Sequence, residues 1–142
     1  MYRKILVALE NGEADKRLLP HITKLARQVE AELLLLHVAD GWAARNFDQL
    51  QLAESAEMKA DREYLEATAR PLRESGLRVD TLLALGNPPN EIVKIAAQSE
   101  CDLIALASHG HKIIGDLIHG STIDKVRHNT TIPLLVVSAV VK

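Results

Sequence analysis

The chain has 142 residues, 47% of them hydrophobic, a formal net charge of -2 and 3% aromatics. That length fits one compact domain, 1–142, with a sizeable core. The near-neutral charge gives no general pull toward nucleic acid or an anionic membrane, and so few aromatics make no stacking platform for single strands. Cys101 is the only cysteine, so no intrachain disulfide can form, which fits a reducing cytoplasm.

The N-terminal Met1-Tyr-Arg-Lys-Ile-Leu-Val is already strand-like, with no long apolar stretch or small-residue cleavage site, and reads as lacking a signal peptide. No apolar run approaches the ~20 residues that span a bilayer. Ile5–Leu9 has strand length and ends at Asn11-Gly12. From about Ala14 to Val29 the residues Leu18, Leu19, Ile22, Leu25, Ala26 and Val29 recur on one helical side. Pro20 falls inside that run and predicts a kink, or a helix whose regular part starts near it. Leu33–Val38 is the second strand.

After a linker containing Gly41-Trp-Ala-Ala-Arg-Asn, a long amphipathic helix runs from about Asp48 to Ser75 and stops at Gly76, a C-terminal cap. Its acidic and basic residues read as a solvated face. Arg78–Leu85 is the third strand. Gly86-Asn-Pro-Pro-Asn90 is a turn whose prolines open the helix Glu91–Ser99. Asp102–Ala107 is the fourth strand, Ser121–Asn129 a helix and Pro133–Val141 the fifth strand.

Continuous apolar strands that alternate with helices predict an α/β fold. The expected form is a single-domain, doubly wound, Rossmann-like sandwich with a five-stranded, mainly parallel sheet and helices on both faces. Ligands of such folds bind at the C-terminal ends of the strands, near a topological switch point. Leu9-Glu10, Val38-Ala39, Gly86 and Ala107–Gly110 all fall on that rim.

The fourth strand runs into Ser108-His-Gly110, and Gly120-Ser-Thr-Ile-Asp124 follows. Glycines allow close backbone approach to a phosphate, and a helix N-terminus supplies unpaired N–H groups. Ser121 and Asp124 also nearly match a capping box, so Ser121 either caps a helix or joins Gly120 and Thr122 in a phosphate cradle. Other phosphate motifs fail. Gly110 and Gly115 have P-loop spacing, but Asp116 and Leu117 stand where Lys and Ser or Thr belong. No G-x-G-x-x-G follows the first strand. His109-Gly-His111 resembles a nucleotidyltransferase signature but lies after the wrong strand.

The histidines form no metal motif with cysteine or carboxylate partners, so no structural metal is expected. His109 orders its loop or touches a ligand, and His37 is packed and hydrogen-bonded in place. Cys101 reads as a small buried hydrophobe. No nucleophile elbow or other catalytic constellation is present. Glu10 is the carboxylate at the first strand's rim, suited to a base, a ribose hydroxyl acceptor or a surface residue.

Met1–Val7, Leu36-His-Val38, Gly86-Asn-Pro with Glu91-Ile-Val-Lys94, Ser108-His-Gly110, Gly120-Ser121 and Ile132–Val137 together resemble the universal stress protein family along the whole chain. Its nucleotide-binding branch carries G-x-x-G, nine residues, then G-[S/T]. Here Ala107-Ser-His-Gly110 and Gly120-Ser121 occupy that pattern, with Ala107 in place of the first glycine. Where that branch has Pro-x-Asp, this chain has Ala8-Leu-Glu10. The resemblance implies an adenine near Val38 and Leu106, with Glu10 at the ribose hydroxyls and Ala107 at the ribose or phosphate edge. It places the triphosphate on Gly110, Gly120, Ser121 and Thr122, with Ala8, Leu9 and His109 also among the nucleotide-binding residues.

The expected ligand is ATP or a related adenine nucleotide, with Mg. A homodimer through Leu134–Val141 and a further protein partner are also implied. The function expected is stress-response regulation by nucleotide binding. The alternatives are an interaction module of the same fold without nucleotide, and an enzyme of the wider adenine-nucleotide α-hydrolase-like group, whose transfer motifs this chain lacks.

Overall fold

The computed structural model describes residues 1–39, 51–108 and 116–139, and the side chains of all of these except 51–55 and 116–121. In chain order the elements are β1 (Lys4–Ala8), α1 (Asp15–Val29), β2 (Glu32–Ala39), α2 (Gln51–Glu74), β3 (Val79–Leu85), α3 (Pro88–Gln98), β4 (Leu103–Ser108), α4 (Asp116–Asn129) and β5 (Leu134–Ser138). The strands form one sheet in the order β3-β2-β1-β4-β5, and every pairing is parallel. The expected α/β sandwich is therefore observed, with a sheet more uniformly parallel than the sequence required.

Strand alternation divides the core into two layers. Ile5, Val7, Leu33, Leu35 and Leu103 meet Leu18, Ile22 and Ala26 of α1 and Leu65 and Ala69 of α2. Leu6, Leu34, Leu36 and Ile104 meet Ile92, Ile95 and Ala96 of α3 and Val126 of α4. β1 lies at the centre of the sheet, and Ile5, Leu6 and Val7 are fully buried. A carboxylate pins its first residues: Asp102 accepts from the backbone of Arg3 at 2.8 Å and of Lys4 at 3.1 Å. That fixes β1 against the start of β4.

The local signals act as their chemistry requires. α1 runs through Pro20 without a break, and the spacing of buried Leu18, Ile22 and Ala26 accounts for it. Pro20 lies past the first turn and forfeits one backbone bond, and the buried stripe outweighs that loss. Gly76, at φ 102, ends α2, with Leu77 N–H donating to the Leu72 carbonyl at 3.2 Å. Asn87 caps α3 by accepting from Asn90 N–H at 3.3 Å, and Pro88 takes the first helical position. α2 is tied to β3 by Arg73, which donates to the Val79 carbonyl and to Glu66, both at 2.8 Å. That guanidinium and the Thr81 hydroxyl hold the Glu66 carboxyl below its ordinary value.

Two expectations are corrected. The last helix begins at Asp116, not at Ser121, so Gly120 and Ser121 lie inside α4. The unpaired N–H groups of its first turn then belong to residues 116–119. Asp124 pairs with Arg127 at 3.3 Å, so the capping-box reading of Ser121 fails. The charged residues of α2 are also not uniformly solvated, because Asp61 is only 9% exposed. The predicted start of α2 near Asp48, the linker at Gly41 and the end of the fifth strand at Val141 lie outside the described residues.

Cys101 is buried, as its apolar context suggested. Burial, the leading cause, pushes its thiol up from 9.0 to about 11. The folded state thus holds the proton more tightly than the unfolded chain. Stability from this group is intact below pH 9.0 and is lost as pH climbs toward about 11. The thiol of the native protein is expected to resist a disulfide-exchange reagent at pH 8 and to react fully once urea unfolds the chain. Fast native-state labelling in a stopped-flow assay would contradict this burial.

Candidate functional site

Strand order reverses between β1 and β4: β2 and β3 lie on one side of β1, β4 and β5 on the other. At the C-terminal ends of β1, β2 and β4, beside that reversal, lies a crevice of about 220 Å³. Crossover connections leave in opposite directions there, which opens a gap between them.

Ala8, Leu9, Glu10, Val38, Leu106, Ala107 and Thr122, all singled out in the sequence, line this crevice. Of the remaining candidates, His109 and Gly110 lie outside the described residues. Gly120 and Ser121 are placed only as part of α4. Leu36, His37, Pro88, Ile92 and Ile123 also line the crevice and were not among the predicted site residues. Their signal was positional. Leu36 and His37 precede Val38 on β2, and Pro88 and Ile92 begin the helix after the Gly86 turn.

The walls are mainly apolar. Leu36, Ile92 and Leu106 belong to the α3–α4 core layer, and Val38 and Ile123 pack against it. The polar residues of the lining are Glu10, His37 and Thr122. Ala107 lies in regular β4 paired with Val137, and it is not among the residues with positive φ. Its methyl joins the α1–α2 core layer, so alanine needs no unusual backbone here.

The loop after β1 is held by buried polar side chains. Asp15, 2% exposed, accepts from Glu10 N–H and Asn11 N–H, each at 2.9 Å. The Tyr64 hydroxyl of α2 donates to the same carboxylate. Burial, then the bond to Asp15 and its charge, push the Tyr64 phenol well above its ordinary value, so the hydroxyl keeps its proton. Asn11, in the left-handed region at φ 60, donates through Nδ2 to Asp61 at 3.0 Å. His37 Nδ1 faces the Leu9 carbonyl at 2.9 Å, and Nε2 lies 3.6 Å from Asp61. A carbonyl can only accept, so Nδ1 carries the donated proton. The sequence reading of His37 as packed and hydrogen-bonded in place is borne out. Asp15, Asp61 and Tyr64 were not foreseen. Among the described residues no three His, Cys, Asp or Glu side chains gather as a metal site.

The profile of the universal stress protein family matches residues 1–138. The chain belongs to this family. It is 28% identical to universal stress protein MJ0577 of Methanocaldococcus jannaschii, over 96% of this chain and 95% of that protein. The solved structure of MJ0577 superposes with a TM-score of 0.83 at 26% identity, covering 100% of this chain and 99% of that one. The universal stress protein of Archaeoglobus fulgidus in complex with dAMP superposes with a TM-score of 0.69 at 20% identity, covering 95% and 97% of the two chains. A universal stress protein in complex with cAMP gives a TM-score of 0.71 at 16% identity, covering 98% of each chain. These last two likenesses concern the fold.

Asp15→Ala would strand three donors at once, Glu10 N–H, Asn11 N–H and the Tyr64 hydroxyl. At about 1–3 kcal/mol for each unsatisfied group, and with the three not additive, a loss of roughly 3–5 kcal/mol is expected. Urea denaturation measures it, and a loss below about 1 kcal/mol would show that the network does not hold the loop.

Proposed function

We propose that this member of the universal stress protein family binds an adenine nucleotide in the crevice at the ends of β1, β2 and β4, and acts as a stress-response regulator. One observation carries the reading: a mainly apolar slot at the switch point with Glu10 in its lining. Val38, Ile92 and Leu106 would enclose the base. Glu10 would accept from the ribose hydroxyls, and its extra methylene relative to aspartate lets it reach them from a loop tied back by Asp15. Ala8, Leu9 and Ala107 complete the floor. The crevice, at about 220 Å³, suits a nucleoside better than a whole triphosphate. The phosphates would extend outward along Thr122 toward Ser121, Gly120, His109 and Gly110. Because α4 starts at Asp116, hydroxyl groups and Gly110 would serve the phosphates, rather than a helix N-terminus at Gly120. Magnesium, where ATP is the ligand, would be held by the phosphates and water.

Two observations on relatives support this reading: solved members of the fold carry dAMP and cAMP. The protein would work in the cytoplasm, without turnover, through a change in its surface. β5 is an edge strand with Val136 43% exposed, and such an edge invites pairing. We assign that edge, from Leu134 toward Val141, to a homodimer contact, which leaves the crevice rim for a protein partner.

Calorimetry with ATP, ADP, AMP and cAMP tests the reading. Binding of at least one of them in the micromolar range, about -8 kcal/mol, is expected. Val38→Trp, which fills the slot from its rim, should weaken that binding at least about tenfold in a protein with an unchanged melt, a loss of about 1.4 kcal/mol. No binding of any of the four would favour the interaction module without nucleotide.

Sedimentation equilibrium at micromolar concentration is expected to show a dimer that Val136→Lys dissociates. A wild-type monomer would remove β5 from consideration as an interface.

A further inference from the structure

Asp61 and Tyr64 stand one helical turn apart on α2, and both turn inward to the loop after β1. A long helix on the outside of a sheet has no general need of a buried carboxylate at that place. Burying one is costly unless its oxygens are bonded. Here Asp61 meets two groups of the site: Oδ1 accepts from Asn11 Nδ2 at 3.0 Å, and Oδ2 lies 3.6 Å from His37 Nε2, an ion pair when the imidazole carries both protons. Asn11 and His37 in turn hold the two ends of Glu10's neighbourhood. His37 fixes the Leu9 carbonyl at 2.9 Å, and Asp15, bonded by Tyr64, fixes the N–H groups of Glu10 and Asn11.

The segment Leu9–Asn11 is thereby tied on both sides of Glu10, with Asn11 at φ 60 in the left-handed region that asparagine adopts more readily than most residues. Two of the groups that hold this segment, Asp61 and Tyr64, come from α2. The same helix is anchored at its far end to β3 by Arg73 and Glu66.

We infer that Asp61 and Tyr64 are positioning residues of the crevice. Acting through Asn11, His37 and Asp15, they set the Glu10 carboxylate for the two hydroxyls of a ribose, which makes α2 a control arm of ribose recognition. The inference rests on the nucleotide reading above. The ligand chemistry it concerns is the vicinal diol, not the base or the phosphates. A shift of α2 along the sheet would alter Asn11 and His37 together and loosen Glu10, without touching the apolar slot.

The test compares ATP with 2′,3′-dideoxyATP, which lacks both hydroxyls, on the full chain by calorimetry. Wild type is expected to bind ATP about tenfold more tightly than the dideoxy analogue, as befits a hydrogen bond to a charged acceptor. In Asp61→Ala that ratio is expected to fall below about threefold, with dideoxyATP affinity unchanged within about twofold. General destabilisation would weaken both ligands alike and leave the ratio intact. Tyr64→Phe removes one oxygen only and carries the same criterion if Asp61→Ala does not melt cooperatively. A ratio that stays above about threefold in the folded variant overturns the inference while the nucleotide reading stands. A wild-type ratio below about threefold also overturns it, because Glu10 then reads no diol. Failure of wild type to bind either ligand overturns this inference, and the nucleotide reading falls with it only where ADP, AMP and cAMP also fail to bind.

Discussion

The Asp15 carboxylate is the constraint on which the site depends. β1 ends at Ala8 in the middle of the sheet, and the chain must leave it and begin α1 within a few residues. A turn that tight leaves the N–H groups of Glu10 and Asn11 turned toward the buried Asp15 side chain. Asp15 answers with one oxygen for Glu10 and the other for Asn11, and the Tyr64 hydroxyl completes its shell. A carboxylate so buried is tolerated because its bonds are filled, and once filled they leave the loop a single arrangement. The fold's need to close β1 and the site's need for a rigid rim are met by the same atoms.

The apolar slot arises from the sheet in a similar way. Leu36 and Leu106 are buried members of the α3–α4 core layer, and they also border the crevice. The crevice is the place where that layer runs out, because the crossovers on either side of the reversal between β1 and β4 diverge. Stability and ligand capacity therefore draw on the same side chains. The polar side chains of the crevice lining are those of Glu10, His37 and Thr122.

What the sequence made legible was whatever depends on near neighbours. Period-two strands, the Leu18–Ile22–Ala26 stripe, the Gly76 stop and the Pro88 start all fall where local chemistry puts them. The rim residues of β1, β2 and β4 were equally legible, since strand order implies a shared edge. Two features were not. The start of α4 at Asp116 was hidden by Gly120-Ser121 and Asp124, which imitate a capping box, although Asp116-Leu-Ile favours helix and places an acid in the first turn. The burial of Asp61 was hidden because it is decided by Asn11, 50 residues away, and by His37 on another strand. A charged residue on an amphipathic helix gives no local sign of such a partner.

The departures at Ala107 and Glu10 take on a common meaning in three dimensions. Ala107 sits in an ordinary stretch of β4, and its methyl packs in the same core layer as Leu9. Leu9 is the residue whose carbonyl His37 holds and whose own N–H donates to Leu36 at 2.8 Å. Ala107 thus borders the crevice while its methyl belongs to the α1–α2 core layer that also holds Leu9. Glu10 follows Leu9 directly, and its backbone N–H is held by Asp15 at 2.9 Å. Both departures therefore stand beside one tethered segment at the end of β1.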